Sequence, residues 1–230
     1  MLIIFLTVVD NTAFTQDTTF KRPPVISEWR EYRDLVKQDS SQKMVELRSM
    51  IPALLYDLRY ATENNFMHRR MYERGTTTTF MRLPAARALL QVQQELALKG
   101  MGLKIFDAYR PYAVTVKFWE LVKDERYVAN PSKGSGHNRG IAVDLTIIDK
   151  KTGKELDMGT GFDNFTDTAH HTFTNLSAMI LQNRQLLKSL MEKYGFKPLE
   201  SEWWHYFIPE STRFAILDIP FKKLATGNKQ

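Results

Sequence analysis

The segment Ile141–Ile148 places the strictest condition on how this chain can fold. Ile141, Val143, Leu145 and Ile147 alternate with Ala142, Asp144 and Thr146, the period-two pattern of a strand with one face in a core. Asp144 interrupts the other face. A carboxylate on such a strand is costly to bury unless it is paired, hydrogen-bonded or metal-bound. The fold therefore has to bring a partner to Asp144. Immediately upstream, Gly134-Ser135-Gly136-His137-Asn138-Arg139-Gly140 reads as a glycine-rich turn. From that turn the His137 imidazole can fold back toward Asp144, and a neutral imidazole with a carboxylate is a normal pair of Zn²⁺ ligands.

A third candidate ligand lies far downstream, in Glu200-Ser201-Glu202-Trp203-Trp204-His205-Tyr206. His205 would complete a set of two His and one Asp and leave one tetrahedral position open for water, which separates a catalytic zinc from a structural one. Bound water then has a pKa near 7 instead of about 15.7. Glu202, three residues before His205, is the candidate general base, with Glu200 as its rival. On a regular strand Glu202 and His205 face opposite ways, so the chain must turn or bulge there if both serve one site.

The remaining elements support a mixed chain. Tyr56 to Tyr60 alternates and reads as a strand. Pro84 opens a helix from Ala85 to Leu98, with Leu89, Val92 and Leu96 on one face and Gly100 at its end. Leu103 to Phe106 reads as a strand delivering Asp107 to Arg110, and Ala113 to Lys123 as a further helix. Another helix runs from about Leu176 to Tyr194, and Trp203 to Phe207 forms a final aromatic strand. Helices and strands come in clumps, which predicts an α+β domain with a central antiparallel sheet flanked by helices and a zinc site in a cleft.

Residues 1–20 form a signal-peptide-like segment, 21–50 an extension with a linker at Lys21-Arg22-Pro23-Pro24, and 51–220 the body. Ser27 to Gln38 reads as a short amphipathic helix or an extended arm. The apolar run Leu2–Val9 is too short to span a bilayer. It resembles the middle of a secretory signal, although no Lys or Arg precedes it. The expectation is export to the periplasm or envelope, with a cytoplasmic location as the alternative and no stable membrane insertion.

There is no cysteine among the 230 residues, which removes disulfides, thiol nucleophiles and Cys-rich zinc sites. The formal net charge is +6, yet no Lys/Arg run exceeds two residues, so a dedicated nucleic-acid arm is not expected. Nothing in the sequence sets an oligomeric state.

The pattern Ser135-x-His137-x-x-Gly140-x-Ala142-x-Asp144, followed by Glu202-x-Trp204-His205, resembles the zinc D,D-peptidases, closest to the VanX-type D-alanyl-D-alanine dipeptidases. The resemblance extends to Tyr60-Ala61-Thr62, Asn65-Phe66, Asp107-Ala108-Tyr109-Arg110-Pro111 and Met158-Gly159-Thr160-Gly161-Phe162-Asp163. It implies one zinc per chain, held by His137, Asp144 and His205, and Glu202 as general base. It also implies that Arg110 stabilises the oxyanion, and that Ser135 and Asp163, with Tyr60 assisting, bind the free amine of a small dipeptide. The implied activity is hydrolysis of D-alanyl-D-alanine in cell-wall precursor metabolism. A D,D-carboxypeptidase or stem-peptide peptidase of the same family, and a non-catalytic zinc-binding module, are the alternatives.

Each assignment has a plainer counterpart. His68, His170 and His171 read as ordinary histidines, although His170-His171 could border the cleft. Arg110 could form only a surface ion pair with Asp107. Trp203 and Trp204 read as structural, one face packing the core and the other a candidate pocket wall. Ser135 lacks a His/acid relay of its own and is not read as a nucleophile.

Overall fold

The computed structural model describes residues 20–209 and 211–227; the apolar run Leu2–Val9 lies outside them. Among the described residues no helix is long and apolar enough to cross a membrane. In chain order the elements are β1 (Val25–Ile26), α1 (Trp29–Gln38), β2 (Met44–Glu46), α2 (Leu47–Met50), β3 (Leu55–Tyr56), β4 (Phe80–Arg82) and α3 (Leu83–Ala97). They continue with β5 (Met101–Asp107), α4 (Tyr112–Val122), α5 (Gly136–Arg139), β6 (Ala142–Asp149) and α6 (Ala178–Lys193). The chain closes with β7 (Lys197–Leu199), β8 (Glu202–Phe207), β9 (Ile216–Leu217) and α7 (Phe221–Gly227).

The main sheet has five strands in the order β3-β5-β6-β8-β7. It is mixed, which corrects the antiparallel sheet expected from sequence: β3 runs parallel to β5, while the other three pairings are antiparallel. The connection from β3 to β5 passes through α3, and a crossover of that length returns the chain to the same end of the sheet, as parallel pairing requires. The strand read over Tyr56–Tyr60 is also shorter than expected. Only Leu55–Tyr56 pairs, after which Asp57 donates its N–H to the Ile105 carbonyl and residues Arg59–Ala61 form a single 3₁₀ turn. That turn puts Tyr60 into the interior.

β6 is the central strand, and Ala142 to Ile148 are all buried. The face carrying Val143, Leu145 and Ile147 packs against Leu89, Val92 and Leu96 of α3 and Leu187, Leu190 and Met191 of α6. Periodicity predicted both helices. Ser177 caps α6 by accepting the Ile180 N–H. A second apolar cluster, largely aromatic, gathers Tyr60, Tyr72, Tyr109 and Phe118 with Tyr32 of α1 and Phe221 of α7. Phe162 packs against both clusters.

The segment before residue 50 is stitched to this body by Arg82, which is fully buried. Its guanidinium donates to the carbonyls of Arg139 and Ala215, each at 2.8 Å, and to that of Gln42. Three distant stretches thus share one planar donor fork. Arg82→Met strands three carbonyls, and at about 1 kcal/mol or more each it is expected to lower unfolding free energy by about 3 kcal/mol in urea titration. An unchanged midpoint contradicts that role.

Candidate metal and active site

Strand register brings the chemistry together. Asp144 lies directly opposite His205 in the β6–β8 pair and opposite Asp107 in the β5–β6 pair, so Asp107, Asp144 and His205 form one row across three strands. A register shift between Ile105 and Asp107 makes this possible. Without it, Asp107 would share the core face with Ile105; one extra residue turns it to the face of Asp144. β8 has a comparable irregularity. Pro198 pairs with Tyr206 but Leu199 with Glu202, and the slip places Glu202 Oε2 3.9 Å from His205 Nδ1. The turn or bulge required for Glu202 and His205 to share a site is therefore present.

His137 enters from α5, a single turn that Ser135 caps. The Ser135 hydroxyl accepts the Asn138 N–H while the Asn138 side chain accepts the Ser135 N–H. Asn138 also donates to the Arg110 carbonyl and to Thr115, each at 2.8 Å, which locks α5 to the start of α4. His137 Nδ1 lies 2.7 Å from the Ala108 carbonyl oxygen, so it carries the proton and Nε2 presents its lone pair to the cleft.

His137 Nε2, His205 Nδ1 and the Asp144 carboxylate form a group whose ligand atoms all lie within 4.8 Å of one another. His137 Nε2 is 3.3 Å from His205 Nδ1 and 3.4 Å from Asp144 Oδ2, and His205 Nδ1 is 2.8 Å from Asp144 Oδ1. A tetrahedron with bonds of about 2.0–2.1 Å has edges of about 3.3–3.4 Å, so two of the three separations are already those of a zinc site. The electrostatics fit a cation as well. Burial first, then Asp107, pushes the Asp144 carboxyl well above the usual carboxylate range. Burial, then Arg110 and His205, pushes the His137 imidazole well below its ordinary value. Neutral imidazoles beside a carboxylate short of compensating charge are what a divalent ion satisfies.

The group opens on a cavity of about 680 Å³ whose lining includes Tyr60, Arg110, Ser135, Asp163, Trp204 and Glu202. Arg110 is held rigidly: Asp107 accepts from its Nε at 3.1 Å and its Nη2 at 2.8 Å. The guanidinium carbon lies 5.0 Å from the ring centroids of both Tyr60 and Phe118. Burial opposes its charge, but Asp107, Tyr72, Tyr60 and Asp144 outweigh burial and keep it protonated. Among the described residues, Nη1 donates to no protein acceptor and is available to the cavity.

Asp163 adopts a left-handed backbone conformation at φ 60°. Its Oδ1 accepts the Tyr60 hydroxyl at 3.0 Å, while Oδ2 is buried with no partner. All eight residues singled out from sequence therefore meet in one cleft. His170 lines the same cavity, and His171 sits behind it with its ring 5.9 Å from that of Tyr206. Trp204 forms wall, whereas Trp203 donates to Thr160 at 2.8 Å.

The role of Asp107 was not visible in the sequence. Its pair with Arg110 is buried, not superficial, and it also accepts the Tyr72 hydroxyl and the Ala108 N–H. The only signal was its position three residues before Arg110 at a strand end.

A family model described as D-ala-D-ala dipeptidase, of the M15 peptidases, matches residues 40–225. The chain belongs to this peptidase family. Among its relatives, the D-alanyl-D-alanine dipeptidase of Escherichia coli (strain K12) is 33% identical over 175 residues, covering 76% of this chain and 89% of that protein. The enzyme of the same name from Enterococcus faecium is 31% identical over 195 residues, covering 76% and 96%. Solved structures align more distantly. The LdcB LD-carboxypeptidase has a TM-score of 0.42 at 20% identity, covering 74% of this chain and 71% of that one.

Asp107→Asn leaves the Arg110 charge buried without its counter-charge. It is expected to cost about 3–5 kcal/mol of stability, whereas Tyr72→Phe, which removes a single donor, costs about 1 kcal/mol. Equal denaturation midpoints for the two variants contradict this hierarchy.

Proposed function

We propose that the protein is a zinc-dependent dipeptidase that hydrolyses D-alanyl-D-alanine. The observation that carries the reading is the unpartnered, buried Oδ2 of Asp163 in the same cavity as His137, Asp144, His205 and Glu202. A buried carboxylate oxygen without a donor calls for a cationic group from the ligand, and a free dipeptide carries an ammonium one residue from its only peptide bond.

His137, Asp144 and His205 would hold a zinc ion, which would supply Lewis acidity and bring the pKa of water down to about 7. The chain's own groups do the rest. Glu202, beside His205, takes a proton from the attacking water and returns it to the departing nitrogen as the C–N bond breaks. Arg110, fixed by Asp107, aims Nη1 at the carbonyl oxygen where negative charge develops, a role often worth about 3–4 kcal/mol in the barrier. Asp163 and Tyr60 take the ammonium and set its distance from the scissile bond, and Ser135 lines the same wall. That fixed distance selects dipeptides over chains whose amine is acylated. The likeness to dipeptidases from Escherichia coli and Enterococcus faecium over most of both chains supports the same substrate.

Glu202→Gln is expected to retain one zinc per chain by metal analysis while turnover of D-Ala-D-Ala falls about 10²–10⁴-fold. Chelation should abolish wild-type turnover and added zinc restore it. N-acetyl-D-Ala-D-Ala should be a far poorer substrate than the free dipeptide. Equal turnover of the two removes the amine from recognition and favours a D,D-carboxypeptidase; undiminished turnover by the Gln variant removes Glu202 from the mechanism.

A further inference from the structure

We infer that Arg184 is the positioning residue for amine recognition, acting through the loop that carries Asp163; the inference rests on the amine-binding role proposed for that carboxylate. Asp163 lies within the stretch between β6 and α6, where the only helical element is the 3₁₀ turn Asp167–Ala169. A segment of that kind does not by itself hold one oxygen at a fixed distance from a scissile bond.

Arg184 supplies the missing rigidity. It is buried on α6 and is not part of the cavity lining. Its guanidinium donates to the Met158 carbonyl at 2.7 Å, the Thr168 carbonyl at 2.9 Å and the His170 carbonyl at 3.1 Å. One of these carbonyls precedes Asp163 and two follow it, so a single planar fork fixes both limbs of the loop. Among the described residues Arg184 forms no salt bridge with a carboxylate, and its charge is committed to backbone carbonyls alone. Burying a guanidinium this way is an expensive route to stability, but its rigid donor geometry suits the registration of two chain segments.

The surroundings match that task. Gly159, at φ 81°, lets the incoming limb lie close to α6: a Cβ there would stand 3.0 Å from Ile180 and 3.5 Å from the Arg184 guanidinium. Asn183, the neighbour of Arg184, donates to the Asp157 carbonyl at 2.9 Å. Next to Asp163, Phe162 stacks on Phe106 at 4.8 Å and meets Trp204 edge-on at 5.5 Å. The loop is thus pinned at its limbs by Arg184 and pressed at its centre onto the wall of the cleft.

Arg184→Lys tests this, because an ammonium keeps the charge but cannot span three carbonyls. The full-length variant is first confirmed as folded, with one zinc per chain. KM for D-Ala-D-Ala is then expected to rise about tenfold with kcat within about threefold, and the preference for the free dipeptide over N-acetyl-D-Ala-D-Ala to fall by a similar factor. Amide hydrogen exchange over residues 158–170 should quicken at least tenfold while β5 and β6 exchange as in the wild type. Exchange does not depend on the substrate, so it tests the loop's anchorage even if the wild type proves indifferent to the amine, a result that would sink the dipeptidase reading. Wild-type exchange in that loop overturns the inference, as does an unaltered preference for the free amine. If Arg184→Lys does not fold, Arg184→Gln is measured in the same way.

Discussion

Asp144 is buried on the central strand of the sheet, next in the row to a second buried carboxylate, Asp107. Like charges facing each other across strands repel, and burial of both side chains weakens the screening between them. Each carboxylate therefore needs its own cation. Asp107 is paired directly with Arg110 at 2.8 Å; the basic side chains within 4 Å of Asp144, among the described residues, are imidazoles whose protonation burial disfavours. The row is balanced on one side by Arg110, and on the other Asp144 joins His137 and His205 in a group able to hold a metal. This asymmetry sets a rigidly held guanidinium beside a His-Asp-His group suited to a cation, the two electrophilic elements that the proposed amide hydrolysis would use.

Two local irregularities make the row possible. The shift in β5 turns Asp107 from the core face to the cleft, and the slip in β8 turns Glu202 to the side of His205. Bulges cost ladder hydrogen bonds, and they concentrate where a side chain must be re-aimed. Here they sit on the two strands that flank β6 and deliver an acid on each side of Asp144. The groups proposed to hold the substrate amine lie instead outside the sheet, on the turn that carries Tyr60 and the loop that carries Asp163.

Much of this could be read in the residues. The alternation through Ile141–Ile148, the apolar spacing of α3 and the helix read from about Leu176 to Tyr194 are local signals, and local signals set those elements. The convergence of His137, Asp144 and His205 was readable because His137 and Asp144 flank one turn and the Glu202–His205 spacing repeats a family pattern. The parallel placement of β3 was not, since it depends on where a long crossover returns the chain. The anchoring of Arg110 was not either. A bulge of one residue leaves no periodic trace, so a buried pair and a surface pair look alike in sequence. Arg184 was equally silent, because its partners are backbone carbonyls, which every residue possesses.

The most direct measurement is the absorption-edge anomalous signal of zinc in crystals of the loaded protein. The expected result is a single ion within about 2.0–2.1 Å of His137 Nε2, His205 Nδ1 and an Asp144 oxygen, with one further position facing the cavity. An ion bound elsewhere, or one that His205 does not ligate, contradicts a catalytic centre built on this row of strands.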